Sequence, residues 1–270
     1  MLVEKSKNMS KVGIMQGRLT EKNGFFPQVF PQNEWETEFR SAKDIGIECI
    51  EWMFNADEWT KNPLVTEEGI IQIQNQIKST GVSVSGICAN YYMKNSIFTD
   101  GKNMLHRIVK CARIIGCHNV IIPLFEASDI ENCEEGFQIL EEVIRSISDV
   151  GIQILLETDA ELDKVVDFCQ KFTADNVGIC YDIGNATGLG KDVVHEIEKG
   201  SKYIKNVHLK DKKRGGTSVM LGQGDALFEE CFYQLEKNGY QGSFILESYF
   251  EKAVEDTLKN YLYVKDKMKR

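Results

Sequence analysis

The sequence predicts a (β/α)8 barrel, an α/β fold in which eight parallel strands alternate with helices. Three observations point there. Eight short apolar runs begin near residues 12, 47, 83, 119, 152, 177, 204 and 243. The stretches between them have room for a crossover helix, which parallel neighbours require. Four polar residues, Glu157, Asp182, His208 and Glu247, each close one of the last four runs. In such a barrel the C-terminal strand ends converge on the face where active sites are built.

The elements follow in order. Residues 12–16 (VGIMQ) form the first strand, and the runs within KDIGIECIEW, KSTGVSVSGIC and RIIGCHNVIIPL form the next three. Residues 152–157 (IQILLE), 177–182 (VGICYD), 204–208 (IKNVH) and 243–247 (SFILE) complete the eight. A glycine precedes several strands, where a helix C-cap entering a short loop would use it. Helical periodicity marks residues 104–115 and 133–150. The irregular stretches 18–33 and 55–65 follow strands one and two, so both fall on the catalytic face as walls or a lid. No Pro/Ser-rich linker or low-complexity tract interrupts the chain. The reading is one domain over residues 1–270, with frayed ends at 1–9 and 265–270.

At 270 residues, 42% hydrophobic and 27% charged, the chain matches an ordinary globular protein with a core of barrel size. The net charge of −9 argues against a nucleic-acid partner, which needs a basic stripe. The opening MLVEKSKNMS lacks the apolar core of a signal peptide, and no apolar run is long enough to span a bilayer. None of the eight cysteines forms a C-x-x-C pair, which favours reduced thiols and a cytoplasmic protein with no membrane partner. Cys88 and Cys180 fall near strand ends, where a reactive thiol would matter; a small core hydrophobe is the plainer reading.

Taken singly, each residue of the quartet reads equally well as a helix cap, an ion-pair partner or a structural histidine. Taken together, three carboxylates and one imidazole at one barrel end need a cation, because burying those charges alone is severely costly. The oxygen-rich set favours Mn²⁺, with Mg²⁺ and Co²⁺ as alternatives and Zn²⁺ disfavoured.

The runs LLETD around Glu157, YDIGN around Asp182, VHLKDK around His208, LGQGD at 221–225 and ILES around Glu247 resemble the sugar phosphate isomerase/epimerase family. That family has the xylose isomerase-like barrel and includes ketose 3-epimerases, hydroxypyruvate isomerases, inosose dehydratases and type IV endonucleases. The opening GIMQGRL at 13–19 resembles one branch of it. The resemblance implies that Glu157, Asp182, His208 and Glu247 are the metal ligands, with Glu157 and Glu247 also the acid/base pair. It implies a sugar or sugar phosphate as substrate, with proton abstraction next to a carbonyl through a metal-stabilised enediolate. A dehydratase or keto-acid isomerase on the same site and a non-catalytic carbohydrate-binding barrel are the competing readings. A homodimer is the commonest assembly for such enzymes.

Two departures from the family pattern stand out. Many 3-epimerases carry a histidine three residues after the metal-binding aspartate, where this chain has Asn185, itself a candidate to contact substrate. The endonuclease branch needs extra histidines for three zinc ions, yet KDKKRGGTSV at 210–219 has none, so DNA cleavage is disfavoured. The family's LGEGD reads LGQGD here, a change that bears on a local hydrogen bond more than on the chemistry.

Further candidates surround the quartet. Arg18 and Glu51, after strands one and two, read either as contacts to substrate hydroxyls or phosphate or as ion-pair partners. Lys210 lies two residues past His208 and should point into the same barrel end, to neutralise the carboxylates or bind phosphate. The loop 212–216 (KKRGG), with Arg214, follows strand seven, where many barrels place a phosphate site; a solvated basic loop is the plainer reading. Trp52, Tyr91, Phe125 and Phe250 are candidates to wall the site against water, or else pack in the core.

Overall fold

The computed structural model describes residues 10–21, 29–147, 151–173 and 176–268. The apolar runs become the parallel strands β1 (Val12–Met15), β2 (Cys49–Met53), β3 (Ser83–Cys88), β4 (Asn119–Pro123), β5 (Gln153–Glu157), β6 (Val177–Asp182) and β7 (Ile204–Leu209). A short antiparallel ribbon follows, β8 (Asp211–Lys212) with β9 (Ser218–Val219), and then the last barrel strand, β10 (Ser243–Leu246). The barrel closes in the order β1-β10-β7-β6-β5-β4-β3-β2. Its strands are buried on both faces, as parallel strands sheathed by helices must be.

The helices sit where the spacing places them, among them Trp35–Ile45, Glu67–Thr80, Ile97–Ile114, Gly136–Arg145 and Phe228–Lys237. Gly46 and Gly81 cap two of them at φ 93 and 78, left-handed values that a Cβ would disfavour. β2 starts later than the apolar pattern, because Ile47 N–H still bonds back to Ala42 O to finish the helix cap. Gly178 lies inside β6, as the run 177–182 implies. A Cβ there would stand 2.7 Å from Tyr203 O.

The helix expected over 133–150 is Gly136–Arg145, and its anticipated last residues, 148–150, lie outside the described residues. The last helix, Ala253–Lys267, runs past residue 265, where fraying was expected, and buries Val264. The expected fraying at 1–9, and part of the anticipated loop 18–33, also fall outside the described residues. No helix among the described residues is long and apolar enough to cross a membrane. All eight cysteines are free thiols.

Candidate metal centre

Strand register brings the quartet together. Glu157 and Asp182 end β5 and β6, and Asp182 lies directly opposite His208 of β7. Glu247 is the first residue after β10, and its N–H still bonds to Leu209 O, so the ladder holds it level with the others. One ligand atom from each residue lies within 4.8 Å of all the rest, and all four side chains are buried. His208 Nδ1 stands 3.3 Å from Glu157 Oε1 and 3.2 Å from Glu247 Oε2.

Two observations test whether these residues fit a cation. His208 Nδ1 is buried yet makes no hydrogen bond, although it faces two carboxylates. An imidazole nitrogen so placed is a ligand waiting for a Lewis acid. The second is charge. Lys210 Nζ lies 2.8 Å from Asp182 Oδ2 and 3.0 Å from Glu247 Oε2, and Arg18 lies 3.7 Å from Glu247 Oε1, so two buried cations face the four buried carboxylates Glu51, Glu157, Asp182 and Glu247. The remaining deficit of two charges is what a divalent ion fills. The donor set fits a hard or borderline dication.

The same charges spread the carboxyl acidities. Burial pushes Glu157 up, and the neighbouring Glu247 and Asp182 charges push the same way. Burial also works against an ionised Glu247, but Lys210 and Arg18 hold its carboxyl well below the usual range. Burial opposes a charged Lys210, yet Asp182 and Glu247 hold the ammonium above its ordinary value.

A cavity of about 200 Å³ opens beside the quartet. Glu157, Asp159, Asn185, Lys210 and Glu247 line its polar side, and Met15, Cys88, Met93, Pro123 and Phe125 its apolar side. Lys210 and Asn185 therefore reach the cavity as anticipated. Asn185 Oδ1 accepts from Lys212 Nζ at 2.7 Å, and its backbone N–H caps onto Asp182 Oδ1.

Three candidates stand off the cavity lining, each on the other of its two readings. Glu51 is fully buried beneath the site, paired with His208 Nε2 at 2.9 Å, and is absent from the cavity lining. β2 runs on to Met53, so Glu51 sits inside the strand and not at its end, where the sequence pattern put it. Arg18 is also buried. It donates to Glu247 O and Gln16 O, contacts Glu247 Oε1 at 3.7 Å, and lies over the Tyr249 ring, so it braces a ligand rather than facing substrate space. Arg214 is exposed on the turn between β8 and β9, away from the cavity lining.

Of the four aromatic candidates, Phe125 lines the cavity, Trp52 packs against Phe30 and Trp35, Tyr91 packs on Phe54 and Tyr92, and Phe250 is half-buried after β10, off the cavity lining. Cys88 faces the cavity and donates to Asn90 Oδ1. Burial raises its thiol well above the ordinary value, which keeps it protonated. Cys180 is core, its thiol pushed by burial up to about 12. Sequence reasoning missed Asp159, two residues after Glu157, and Asn90, just past β3. Their i+2 offset from a strand end is the signal that would have found them.

The match to known proteins agrees with this geometry. Residues 39–264 match the model of the xylose isomerase-like TIM barrel family. The chain belongs to that family. Relatives include the L-ribulose-5-phosphate 3-epimerase UlaE of Shigella boydii serotype 18, 23% identical over 265 residues that cover 91% of this chain and 93% of the relative. The D-psicose 3-epimerase of Clostridium cellulolyticum H10, solved with D-tagatose, superposes with a TM-score of 0.74 at 14% identity, over 96% of this chain and 99% of that one. A xylose isomerase-like TIM barrel protein from Mycobacterium smegmatis, solved with magnesium, gives 0.72 at 19% identity and 96% coverage of both chains. The 3-keto-D-glucoside 4-epimerase YcjR of E. coli shares the fold, with a TM-score of 0.72 at 17% identity over 95% of this chain and 99% of that one.

Proposed function

We propose that this xylose isomerase-like barrel is a divalent-metal-dependent ketose 3-epimerase. Glu157, Asp182, His208 and Glu247 would hold the ion, Mn²⁺ by preference, and Glu157 and Glu247 would move the proton. The observation that carries the reading is the convergence of this quartet beside a sugar-sized cavity. The names of the relatives, a ribulose-phosphate 3-epimerase and a psicose 3-epimerase, support it.

A carbon-bound proton next to a carbonyl is too weakly acidic for a carboxylate to remove unaided. When bound, the cation supplies Lewis acidity that eases this ionisation. The chain supplies the rest. Glu157 and Glu247 approach from different strands, so one removes the proton and the other returns it on the opposite face. Lys210 and Arg18 keep Glu247 ionised and fixed. Asn185 and Asp159 offer hydrogen bonds to hydroxyls, while Met15, Met93 and Phe125 exclude water.

The test is deuterium uptake from D₂O into a panel of ketoses and ketose phosphates, with Mn²⁺ and after chelation. Uptake at carbon 3 that requires the metal, and that drops roughly 100-fold or more in Glu247→Gln and Glu157→Gln, is the expected result. Uptake at carbon 1 would make the protein an isomerase. No uptake by a metal-loaded protein would leave a binding barrel or a dehydratase.

A further inference from the structure

The acidic residue in the middle of β2, Glu51, has no place in the cavity, and its contacts give it another task. We infer that Glu51 is a positioning residue that fixes the tautomer of His208 and turns Nδ1 toward the metal site. This rests on the metal reading above. Glu51 Oε1 lies 2.9 Å from His208 Nε2, and both side chains are fully buried. Glu51 Oε2 accepts from Asn206 Nδ2 at 2.7 Å. Asn206 stands two residues before His208 on β7, hence on the same side of the strand. The carboxylate is therefore clamped at both oxygens, and Glu51 O, which accepts from Gln16 N–H at 2.9 Å, anchors its backbone.

An ionised carboxylate only accepts hydrogen bonds, so its contact with Nε2 requires the proton to be there. In the neutral ring the lone pair is then on Nδ1, the nitrogen that faces Glu157 and Glu247. Without Glu51 those two carboxylates would favour the opposite tautomer. Nδ1 would carry the proton, donate it to an oxygen 3.2 or 3.3 Å away, and close the fourth ligand position. Glu51 thus decides between an imidazole that binds a cation and one that occupies its place. Such carboxylate–histidine–metal chains orient the ring and raise its basicity as a ligand.

The experiment uses the full chain stripped of metal, as parent and as Glu51→Gln. Glutamine keeps the shape but offers either a carbonyl or an amide to Nε2, so it no longer selects the tautomer. Calorimetric titration with Mn²⁺ should show affinity falling roughly 10- to 100-fold. In ¹⁵N-histidine spectra of the Mg²⁺-loaded forms, the His208 pattern should change from Nε2-protonated in the parent to mixed in the variant. The other three histidines serve as internal controls. A merely structural role would lower the Tm of the metal-free protein and leave the tautomer alone.

If Glu51→Gln does not fold, Asn206→Ser, which removes only the second clamp, is measured the same way and should lose affinity in the same direction. A parent that binds neither ion overturns the metal reading and this inference with it. A parent that binds Mn²⁺, beside a folded variant with affinity within twofold and the same tautomer, overturns the inference alone.

Discussion

Glu38 belongs to the first helix, yet its carboxylate accepts from Gly17 N–H, Leu19 N–H and the Thr20 hydroxyl, tying down the segment that carries Arg18. Burial pushes this carboxyl from 4.5 up to about 7, with the hydrogen bonds and Arg18 offsetting only part of the cost. The folded state therefore binds the proton more tightly than the unfolded chain. The group's stabilisation is complete below pH 4.5 and is lost as pH rises through about 7. The stability of the parent minus that of Glu38→Gln should fall between those values by on the order of 3 kcal/mol, and stay level above them. Urea unfolding at a series of pH values measures it, and a flat difference across the window would sink the idea. At this scale the ligand quartet was legible because each member closes an apolar run. The place of Glu51 was not, since β2 continues past it to Met53 and a polar residue inside the run passed for its end.

Among the loops, the turn after β9 is built around one carboxylate. Asp211, fully buried at the start of β8, accepts from the backbone N–H of Gly222, Gly224 and Ala226. A Cβ on Gly224 would stand 2.1 Å from Asp211 Oδ1, so the LGQGD turn needs glycine there for close approach. Gln223 is exposed, which explains why the chain tolerates glutamine at that position. Replacing Asp211 by Asn sets an amide against backbone donors. It should cost roughly 1–3 kcal/mol and speed hydrogen exchange at those three amides more than in the barrel strands. Uniform loss of protection would mean that the turn has no stability of its own. The ribbon of β8 and β9 escaped sequence reasoning because two-residue strands are too short to show a period. The eight barrel strands were legible because each is a sustained apolar run with a helix-length gap after it.

For the molecule as a whole, an ion held by the quartet as proposed would act as a folding ligand. At 100 times its dissociation constant the ion should stabilise the native state by about 2.7 kcal/mol. For a chain of this size that raises Tm by several degrees, and a chelator should reverse it in a calorimetric scan. A Tm indifferent to Mn²⁺ and to chelation would argue that the quartet holds no ion. Barrel topology was readable at this scale because parallel strands joined by helices leave few closed arrangements. The facing of individual loops depends on side-chain contacts that no local pattern encodes. The closure also sets a timetable for synthesis. Val12 of β1 pairs with Phe244 of β10, so the seam joins the first barrel strand made to the last. Glu157, Asp182 and His208 leave the ribosome well before Glu247, which follows the sealing strand. A nascent chain halted before residue 243 holds three members of the quartet on an open sheet and lacks the fourth. Completion of the quartet and closure of the barrel thus fall in the same late interval, when an unsealed edge is also most exposed to misassembly.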